Sequence, residues 1–325
     1  MIAITRAPAY LTIQDLGRTG QRSIGVPRSG AMDRLTLEVL NTLLGNARGD
    51  AALEWALSAG EITFDEGVRF AIGGAEAVCL LNGQAIESWR TYRTAPGDRL
   101  TIGAPSRGRF LYIGVATGIQ ADIVLGSRST YLAGGFGGLH GRMVRTRDVL
   151  HSVAQSRANE VRDLAVALPA DLRPRLSGDR IRFIHRVDEN DTFAGIIAGD
   201  FVISQSSDRT GYRLAGDTAM SGGSITSEPV LPGVIQLPPG GEPIVLMADA
   251  PTIGGYRIAG AVISADLDAL AQRVPGERIT LAPVTMEEAG AALEERESLV
   301  RDVEAWARNH RTRSSSPISI KPLRP

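Results

Sequence analysis

Residues 18–22 read Arg-Thr-Gly-Gln-Arg, and residues 209–213 read Arg-Thr-Gly-Tyr-Arg. A second motif also returns, because Pro-Gly-Asp-Arg-Leu-Thr-Ile at residues 96–102 corresponds to Pro-Gly-Glu-Arg-Ile-Thr-Leu at residues 275–281. The first pair is separated by 191 residues and the second by 179, so a helix or loop present in one copy only would account for the difference. Two motifs repeated in the same order indicate an internal duplication and therefore two related domains. The repeated arginines predict two related polar sites, or one site shared between the halves.

Composition narrows the class of protein. The 325 residues are 43% hydrophobic and 22% charged, which is typical of a globular chain long enough for two domains. A net charge of −1 does not favour binding to nucleic acid or to an anionic membrane surface. No apolar run reaches the roughly 18 residues that a membrane helix needs, and the N-terminus lacks the layout of a signal peptide. Because the single cysteine, Cys79, excludes an internal disulfide, these features predict a cytoplasmic protein.

Lysine usage excludes several kinds of chemistry. Lys321 is the only lysine, and the other 34 of the 35 basic residues are arginines. The chain therefore has no Walker-A lysine, and no lysine before the tail to form a Schiff base or to carry biotin. A bound anion would meet arginine side chains, backbone amides or a metal ion. The four histidines lack metal-binding spacing, so no metal site is predicted and the cofactor-binding residues stay unknown.

Short apolar runs separated by glycine and Pro-Gly signals predict a mainly β fold with a few peripheral helices. The clearest predicted strands are residues 62–64, 68–72, 78–81, 110–115, 181–184, 201–204, 235–237 and 243–247. Many short strands at close spacing favour a barrel or a sandwich. Helices are predicted between Asp33 and Gly45, over about residues 158–168, and after a capping box at residues 285–288.

These elements predict a division of the chain into four parts. Residues 1–150 would form a first β-barrel domain, and residues 151–178 a helical and proline-containing connection. Residues 179–308 would form a second β-barrel domain with a C-terminal helix. The basic, Ser- and Pro-rich residues 309–325 are predicted to be a disordered tail.

The first candidate cluster lies in residues 14–33 and combines acids, arginines and glycines. Glycines let backbone amides approach a ligand, and arginine holds a carboxylate or phosphate through two contacts. We predict that Arg18, Arg22 and Ser29 bind substrate, and that Asp15 orients the arginines or moves protons. The alternative is a β-turn whose surface arginines pair with neighbouring acids.

The second candidate cluster follows the repeated motif. Asp208 and Glu228 are predicted catalytic acids or bases, since turn-forming neighbours around Glu228 suit a positioned carboxylate. The alternative for Glu228 is an ordinary loop carboxylate. Residues 249–256 add an acid, a hydroxyl and an expected Gly-Gly turn. The predicted substrate-binding residues of this half are Arg209, Tyr212, Arg213, Gln236 and Thr252.

A glycine-rich segment at residues 126–142 forms a third candidate. Four glycines around Phe136 would suit an anion-binding concavity or a flap, but their spacing matches neither a Rossmann fingerprint nor a P-loop. We therefore favour a flap or packing loop.

Five stretches together resemble a known family. They are the residues at 14–22, 25–33, 126–142, 207–214 and 227–244, which include Ser-Asp-Arg-Thr-Gly-Tyr-Arg-Leu and Ser-Glu-Pro-Val-Leu-Pro-Gly. Over about residues 1–308 the chain resembles the biotin-dependent carboxyltransferase family, also called allophanate hydrolase subunit 2. That family includes the C subunit of bacterial ATP-dependent 5-oxoprolinase and the corresponding part of urea carboxylase. The resemblance implies two tandem cyclophilin-like β-barrel domains.

The resemblance also implies an activity and partners. It implies membership of an ATP-dependent 5-oxoprolinase complex, which opens 5-oxoproline (pyroglutamate) to glutamate. The implied partners are a small amide substrate, a LamB/YcsF-like protein in the role of the A subunit, and the subunit-1 paralogue, which is similar to the 5-oxoprolinase B subunit. ATP would act at the level of the complex, with no covalent biotin on this chain. Authentic allophanate hydrolysis uses a serine and lysine machinery, which the lysine-poor chain lacks.

Two other activities stay open. One is the carboxyltransferase component of a urea or guanidine carboxylase system. The other is a non-catalytic regulatory partner of the subunit-1 paralogue.

Overall fold

The computed structural model describes residues 1–153, 166–176, 178–186, 196, 199–216 and 222–311. Internal contacts divide the chain into two compact units. The first unit comprises Met1–Gly17, Arg34–Pro174 and Ser298–Pro325, and the second comprises Arg18–Asp33 and Arg175–Glu297. The predicted helix at 158–168 falls mostly outside the described residues, and so does nearly all of the predicted tail.

The first unit is built from two antiparallel sheets. The six-stranded sheet has the order β11-β1-β4-β9-β6-β7 and the five-stranded sheet the order β2-β3-β10-β5-β8. The strands are β1 Ile2–Arg6, β2 Tyr10–Gln14, β3 Ala52–Ala56, β4 Gly60–Phe64, β5 Arg69–Glu76, β6 Cys79–Leu81, β7 Gln84–Ile86, β8 Thr91–Arg93, β9 Asp98–Ile102, β10 Arg107–Val115 and β11 Val149–Leu150.

Alternating apolar residues of both sheets meet in one core. Ile62 and Phe64 of β4 are fully buried between half-buried neighbours, which is the period-two pattern of a strand with one core face. They share a core cluster with Leu53 and Trp55 of β3, in the other sheet. Burial raises the pKa of the Cys79 thiol in this core to about 11, which is the environment of an unreactive thiol.

The second unit contains a closed barrel. Seven strands follow the order β12-β19-β13-β14-β17-β16-β18, and a further pairing of β18 with β12 closes the ring. Strand β15 pairs with β18 outside the ring. The strands are β12 Arg180–His185, β13 Asp200–Ile203, β14 Gly211–Ala215, β15 Ser224–Pro229, β16 Val234–Leu237, β17 Ile244–Leu246, β18 Ile253–Val262 and β19 Arg278–Pro283. The prediction of a mainly β fold is confirmed, and the second unit contains the closed seven-stranded barrel.

Helices are few in the described part of the chain. They are α1 Arg34–Leu44, α2 Leu267–Ala271 and α3 Met286–Arg311, with one-turn 3-10 helices at Arg22–Ile24, Ala170–Leu172 and Ser264–Asp266. The two predicted helix signals are confirmed. Gly45 ends α1 in the left-handed region at φ +81°, and the Thr285 and Glu288 side chains each accept the other's backbone N–H before α3. None of the helices within the described residues is both long and apolar enough to span a membrane.

The second repeated motif adopts the same local structure in both copies. Gly97 and Gly276 occupy the left-handed region, with φ of +90° and +93°. The acid that follows each glycine accepts a hydrogen bond from the backbone N–H three residues earlier, at 2.7 Å to Asp98 and 3.1 Å to Glu277. Each copy then enters a strand, β9 or β19. This equivalence supports the internal duplication.

The first repeated motif differs between its copies. Residues 209–213 lead into strand β14, whereas residues 18–22 form a loop that ends in the 3-10 helix Arg22–Ile24. Residues 18–33 also group with the second unit, because Ser29 N–H donates to the Ala248 carbonyl and Arg209 donates to the Gly30 carbonyl. The domain boundary predicted at residue 150 does not account for the grouping of residues 18–33 with the second unit, which we call the exchange of residues 18–33.

The C-terminal helix α3 is divided between the two units, which differs from the predicted domain boundaries. Residues from Ser298 onward group with the first unit, although the sequence places the whole helix with the second barrel. The Arg48 Nε to Glu304 Oε1 ion pair of 2.7 Å lies within the first unit and supports this grouping. The bond to Arg48 also holds the pKa of Glu304 below its ordinary value.

A carboxylate clamp in the first unit yields a pH prediction. Arg142 donates two hydrogen bonds to Asp148, at 2.6 and 2.9 Å, and these bonds hold the pKa of Asp148 below its ordinary value. A lowered folded-state pKa stabilises the fold above the unfolded pKa, and this contribution is lost as pH falls through the folded value. We expect Asp148→Asn to lower the free energy of unfolding by about 0.5–1 kcal/mol at neutral pH, with solvent screening included.

The pH dependence of urea unfolding checks this prediction. The difference between wild type and Asp148→Asn should shrink toward zero as the pH falls below the pKa of Asp148. The exposed Asp65→Asn should match wild type at every pH. A difference for Asp148→Asn that is the same at acidic and neutral pH would contradict the assignment.

Candidate functional site

A buried ion pair organises the second unit around Asp249. Arg209 binds the Asp249 carboxylate through two contacts, Nε to Oδ2 at 2.8 Å and Nη2 to Oδ1 at 3.0 Å. Ser29 Oγ donates to Oδ1 of the same carboxylate at 2.5 Å, and Arg209 Nη2 also donates to the Gly30 carbonyl at 2.7 Å. Because the arginine, the aspartate and the serine are all at least 91% buried, this network fixes the segment of residues 18–33 to the barrel.

Sequence reasoning missed the importance of Asp249. It identifies Asp249 only as the acid of residues 249–256 and does not include it among the catalytic residues. Its partner Ser29 has φ of +57°, which is uncommon for a residue other than glycine. The sequence signals available for this pair are the repeated motif that contains Arg209 and the acid Asp249 two residues before Pro251. They do not show that the two residues pair, because the ion pair forms only in the folded barrel.

Arg22 lies next to this network, and within the described residues its side-chain contacts are to backbone carbonyls and not to a carboxylate. Its Nη2 atom donates to the Val230 carbonyl through a very short contact and to the Pro251 carbonyl at 2.8 Å. Its Nη1 atom is shielded from solvent and has no acceptor among the described residues. Burial lowers the pKa of Arg22 from its ordinary value, as expected for a cation whose environment offers carbonyl dipoles but no negative charge.

Gln236 and Gly254 face each other on the β16–β18 side of the same region. The Gln236 side chain is 4% exposed, and its Nε2 atom is buried without an acceptor among the described residues. A Cβ atom placed on Gly254 would lie 2.2 Å from this nitrogen and 3.2 Å from Val230 Cγ1. The absence of a side chain at Gly254 therefore makes room for the Gln236 amide.

Glu228 shares that face. It lies on β15 directly opposite Gly254 of β18, and directly opposite residues of an antiparallel pair point their side chains to the same side. Its carboxylate accepts a hydrogen bond from Arg186 Nη1 at 3.2 Å. Arg22, Glu228, Gln236 and Gly254 therefore surround one small patch, which we call the β15–β18 patch.

The structure contradicts the loop alternative for Glu228 and the expected Gly-Gly turn at residues 254–255. Glu228 is on strand β15 and not in a loop, and Gly254 with Gly255 lies inside strand β18 and not in a turn. The proline and glycine residues near Glu228 end the strand and do not exclude it. At Gly254 a Cβ atom would collide with the Gln236 amide, which explains a glycine inside β18, whereas a Cβ atom on Gly255 would make only ordinary contacts.

Two further predicted substrate-binding residues of the second unit lie at different depths. Thr252 is half-buried, and its carbonyl accepts the Val230 N–H at 3.1 Å, so it borders the β15–β18 patch. Arg213 is exposed on β14. Of these two residues, Thr252 borders the patch through its backbone hydrogen bond to Val230.

Three predicted residues occupy structural positions instead. Tyr212 is fully buried and donates its hydroxyl to the Ala271 carbonyl at 2.7 Å, which is the environment of a core residue. Asp208 is exposed and accepts the Thr210 N–H at 2.8 Å, an arrangement typical of a turn. Arg18 is 1% exposed, and its backbone N–H donates to a carbonyl of the same segment, at residue 28.

In the first unit, Asp15 organises the glycine-rich segment. Its carboxylate accepts hydrogen bonds from Ser127 Oγ at 2.7 Å, the Arg128 N–H at 2.6 Å, the Gly17 N–H at 2.7 Å and, through a very short contact, Ser129 Oγ. These four donors hold the carboxylate in the packing between Asp15 and the glycine-rich segment. The arrangement supports a packing loop at residues 126–142.

The rest of that loop is packed as well. The Tyr131 and Phe136 rings meet edge to face with centroids 5.4 Å apart, and the Gly138 N–H donates to the Arg128 carbonyl at 2.9 Å. The described residues include no group of three His, Cys, Asp or Glu residues that could hold a metal ion.

A separate pocket of about 510 Å³ lies elsewhere in the second unit, beside α3. Arg182, which lines it, forms a two-point ion pair with Asp266 at 2.7 and 3.0 Å, and Glu288 caps α3. Because Arg182, Asp266 and Glu288 already have partners, we consider the β15–β18 patch the more favourable candidate site.

Taken together, the second unit offers a buried Arg–Asp–Ser network and, beside it, a patch with a carboxylate and two donors that lack an acceptor among the described residues. Such a patch could bind an oxygen acceptor and place it near Glu228. The binding and catalytic roles of the residues named from sequence stay predictions.

Comparisons with known proteins add independent information. A family model described as carboxyltransferase domain, subdomain A and B, matches residues 24–283. The chain is 35% identical over 314 residues to the C subunit of 5-oxoprolinase from Escherichia coli (strain K12), covering 94% of this chain and 98% of that protein. It is 32% identical over 291 residues to the corresponding C subunit of Haemophilus influenzae, covering 89% and 93%. Among solved structures, the urea amidolyase of K. lactis matches with a TM-score of 0.84 and 27% identity, covering 93% of this chain and 20% of that one.

Proposed function

The chain belongs to the family of carboxyltransferase domains, subdomain A and B, and from that premise we propose that it works within an ATP-dependent 5-oxoprolinase complex as one of its subunits. The complex would open the lactam of 5-oxoproline to give glutamate. The observation that carries this proposal is the match to the C subunit of E. coli 5-oxoprolinase over 98% of that protein's length. The K. lactis urea amidolyase, by contrast, is covered over only 20% of its chain.

The site geometry is compatible with a small amide that bears an acidic group. The β15–β18 patch combines an arginine that has no carboxylate partner in the described part of the chain with a buried amide donor. The neighbouring Arg209–Asp249 pair holds the segment that carries Arg22. The proposed partners are the subunit-1 paralogue, similar to the 5-oxoprolinase B subunit, and a LamB/YcsF-like protein, in the cytoplasm. ATP is proposed to act in the complex. Covalent biotin is not proposed for this chain, whose only lysine is Lys321.

A second candidate function is carboxyl transfer within a urea carboxylase system. It is favoured by the description of the family model and by the structural match to the K. lactis urea amidolyase. In that system a separate protein would carry the biotin.

Reconstitution tests the proposed function. We expect that co-expressing this chain with the subunit-1 paralogue and the LamB/YcsF-like protein of its own genome yields ATP-dependent release of glutamate from 5-oxoproline. Activity should fall to background when any one of the three proteins is omitted. A matched reaction with urea in place of 5-oxoproline serves as the substrate control.

Two outcomes would contradict the proposal. Full activity without this chain would remove it from the reaction. A stable complex that has no 5-oxoprolinase activity, but consumes urea when a biotin carboxylase and carboxybiotin are supplied, would favour carboxyl transfer instead.

A further inference from the structure

Two N–H donors at the β15–β18 patch are shielded from solvent and have no acceptor among the residues that the structure describes. They are Arg22 Nη1 and Gln236 Nε2. Buried donors in native proteins are nearly always paired, and an unpaired one is costly because it has lost its hydrogen bonds to water. Two such donors in one place indicate that an acceptor from outside the chain completes the patch.

Both donors lie against the same residue. Arg22 reaches the Val230 carbonyl through its Nη2 atom, which leaves Nη1 as the free end of the fork. The Gln236 amide lies over Gly254, where an added Cβ atom would be 2.2 Å from Gln236 Nε2 and 3.2 Å from Val230 Cγ1. Arg22 therefore contacts the backbone of Val230, and the Gln236 amide lies near the Val230 side chain, so both donors are in the neighbourhood of this residue.

The charge of the patch selects the kind of acceptor. No described carboxylate lies within ion-pair distance of Arg22, and its side-chain contacts are to backbone carbonyls. Glu228, on the Gly254 face, is held by Arg186. An acceptor that carries a negative charge would form charge-assisted hydrogen bonds with Arg22, which are stronger than those of a neutral carbonyl.

We propose that Arg22 and Gln236 together bind the carboxylate group of a small acidic amide. The assignment of that amide as 5-oxoproline rests on the proposed function. The assignment of a carboxylate rests only on the two unpaired donors and the uncompensated charge. Arg22 and Gln236 are thus binding residues, while the Asp249 network positions Arg22 by fixing residues 18–33.

Equilibrium binding to the purified full-length chain tests this proposal. The probes are 5-oxoproline and 2-pyrrolidinone, which share the lactam but differ in the carboxylate, measured by titration calorimetry and ligand-observed NMR. We expect wild type to prefer 5-oxoproline by about tenfold to a hundredfold, the range for hydrogen bonds to a charged group. Arg22→Gln and Gln236→Leu should each remove most of this preference without changing the weak binding of 2-pyrrolidinone.

Matched controls separate binding from folding. Arg278→Gln and Gln205→Leu change the same residue types at exposed positions of the second unit and should keep the full preference. Gln236→Leu retains the volume of the side chain and removes an unpaired donor, so its thermal midpoint should equal or exceed that of wild type. Loss of binding in a variant of undiminished stability is a result that a purely structural role for Gln236 would not produce.

Gly254→Ala provides an independent variant. The added Cβ atom would displace the flexible end of Gln236 and not the backbone, so the carboxylate preference should fall as it does in Gln236→Leu. Because both changes act on the same amide, the double variant should lose no more than either single one.

The outcomes distinguish this inference from the proposed function. Equal binding of both probes by wild type, no measurable binding of either probe, or an unchanged preference in Gln236→Leu would overturn the carboxylate assignment, even if the reconstituted complex is active. A carboxylate preference that depends on Arg22 and Gln236 would support it, even if the complex has no 5-oxoprolinase activity.

Discussion

Replacing Asp249 by alanine is expected to lower the free energy of unfolding by about 3–5 kcal/mol, the range for removing one partner of a buried ion pair. The loss is large because Arg209, which is 7% exposed, would lose the carboxylate that accepts two of its hydrogen bonds. Ser29 would lose the acceptor of its hydroxyl at the same time. Urea unfolding followed by far-UV circular dichroism measures the change.

Two comparisons sharpen this test. Asp179→Ala removes an exposed aspartate from the same unit and should change stability by no more than about 0.5 kcal/mol. The double variant Arg209→Met/Asp249→Leu replaces both charges with apolar groups and should recover part of the lost stability. If Asp249→Ala were as stable as Asp179→Ala, Asp249 would not hold the network together.

Replacing Asp15 by alanine should produce a loss of similar size in the first unit, about 3–5 kcal/mol, because buried donors left without an acceptor cost about 1–3 kcal/mol each and do not add fully. The Asp15 carboxylate serves two serine hydroxyls and two backbone N–H groups. The hydroxyls can rotate toward other acceptors, but the backbone N–H groups cannot. The backbone of the glycine-rich segment should therefore loosen first.

Hydrogen exchange and urea unfolding together check the Asp15 prediction. Exchange of the Arg128 amide proton should accelerate more than that of amides in strand β10. Asp15→Asn should show an intermediate loss of stability. Its amide keeps one acceptor oxygen, but its NH2 group faces the neighbouring hydrogen-bond donors. The exposed Asp65→Ala is the control. Unchanged exchange at Arg128 in Asp15→Ala would contradict the organising role.

Local patterns predicted much of the fold. The strands at residues 62–64 and 235–237 and the capping box before α3 follow from side-chain periodicity and from hydrogen bonds between near neighbours, so the sequence contains the information. The Pro-Gly turns at residues 96–97 and 275–276 are shared by the two halves because their geometry is local. Side-chain periodicity alone left both a barrel and a sandwich open. The family resemblance, which the family model confirms, favoured the barrel.

The site was harder to predict because its partners are distant in sequence. Two adjacent glycines at 254–255 are most often a turn signal, but the close approach of Gln236 explains Gly254 within a strand. Asp249 and Ser29 are 220 residues apart, and no local pattern connects them. Among the predicted residues, the structure brings Arg22, Glu228, Gln236 and Thr252 together around Val230, and places Asp15 and Tyr212 in packed environments instead.

The exchange of residues 18–33 constrains how this gene could have changed since its duplication. A fragment cut between the two repeats would encode neither compact unit whole, because the later half would lack the sixteen residues that carry Arg22 and Ser29. Loss of either half by recombination would therefore leave the remaining compact unit incomplete. Once residues 18–33 had become part of the second unit, the two repeated halves could diverge in sequence. Neither half could then encode a complete unit by itself.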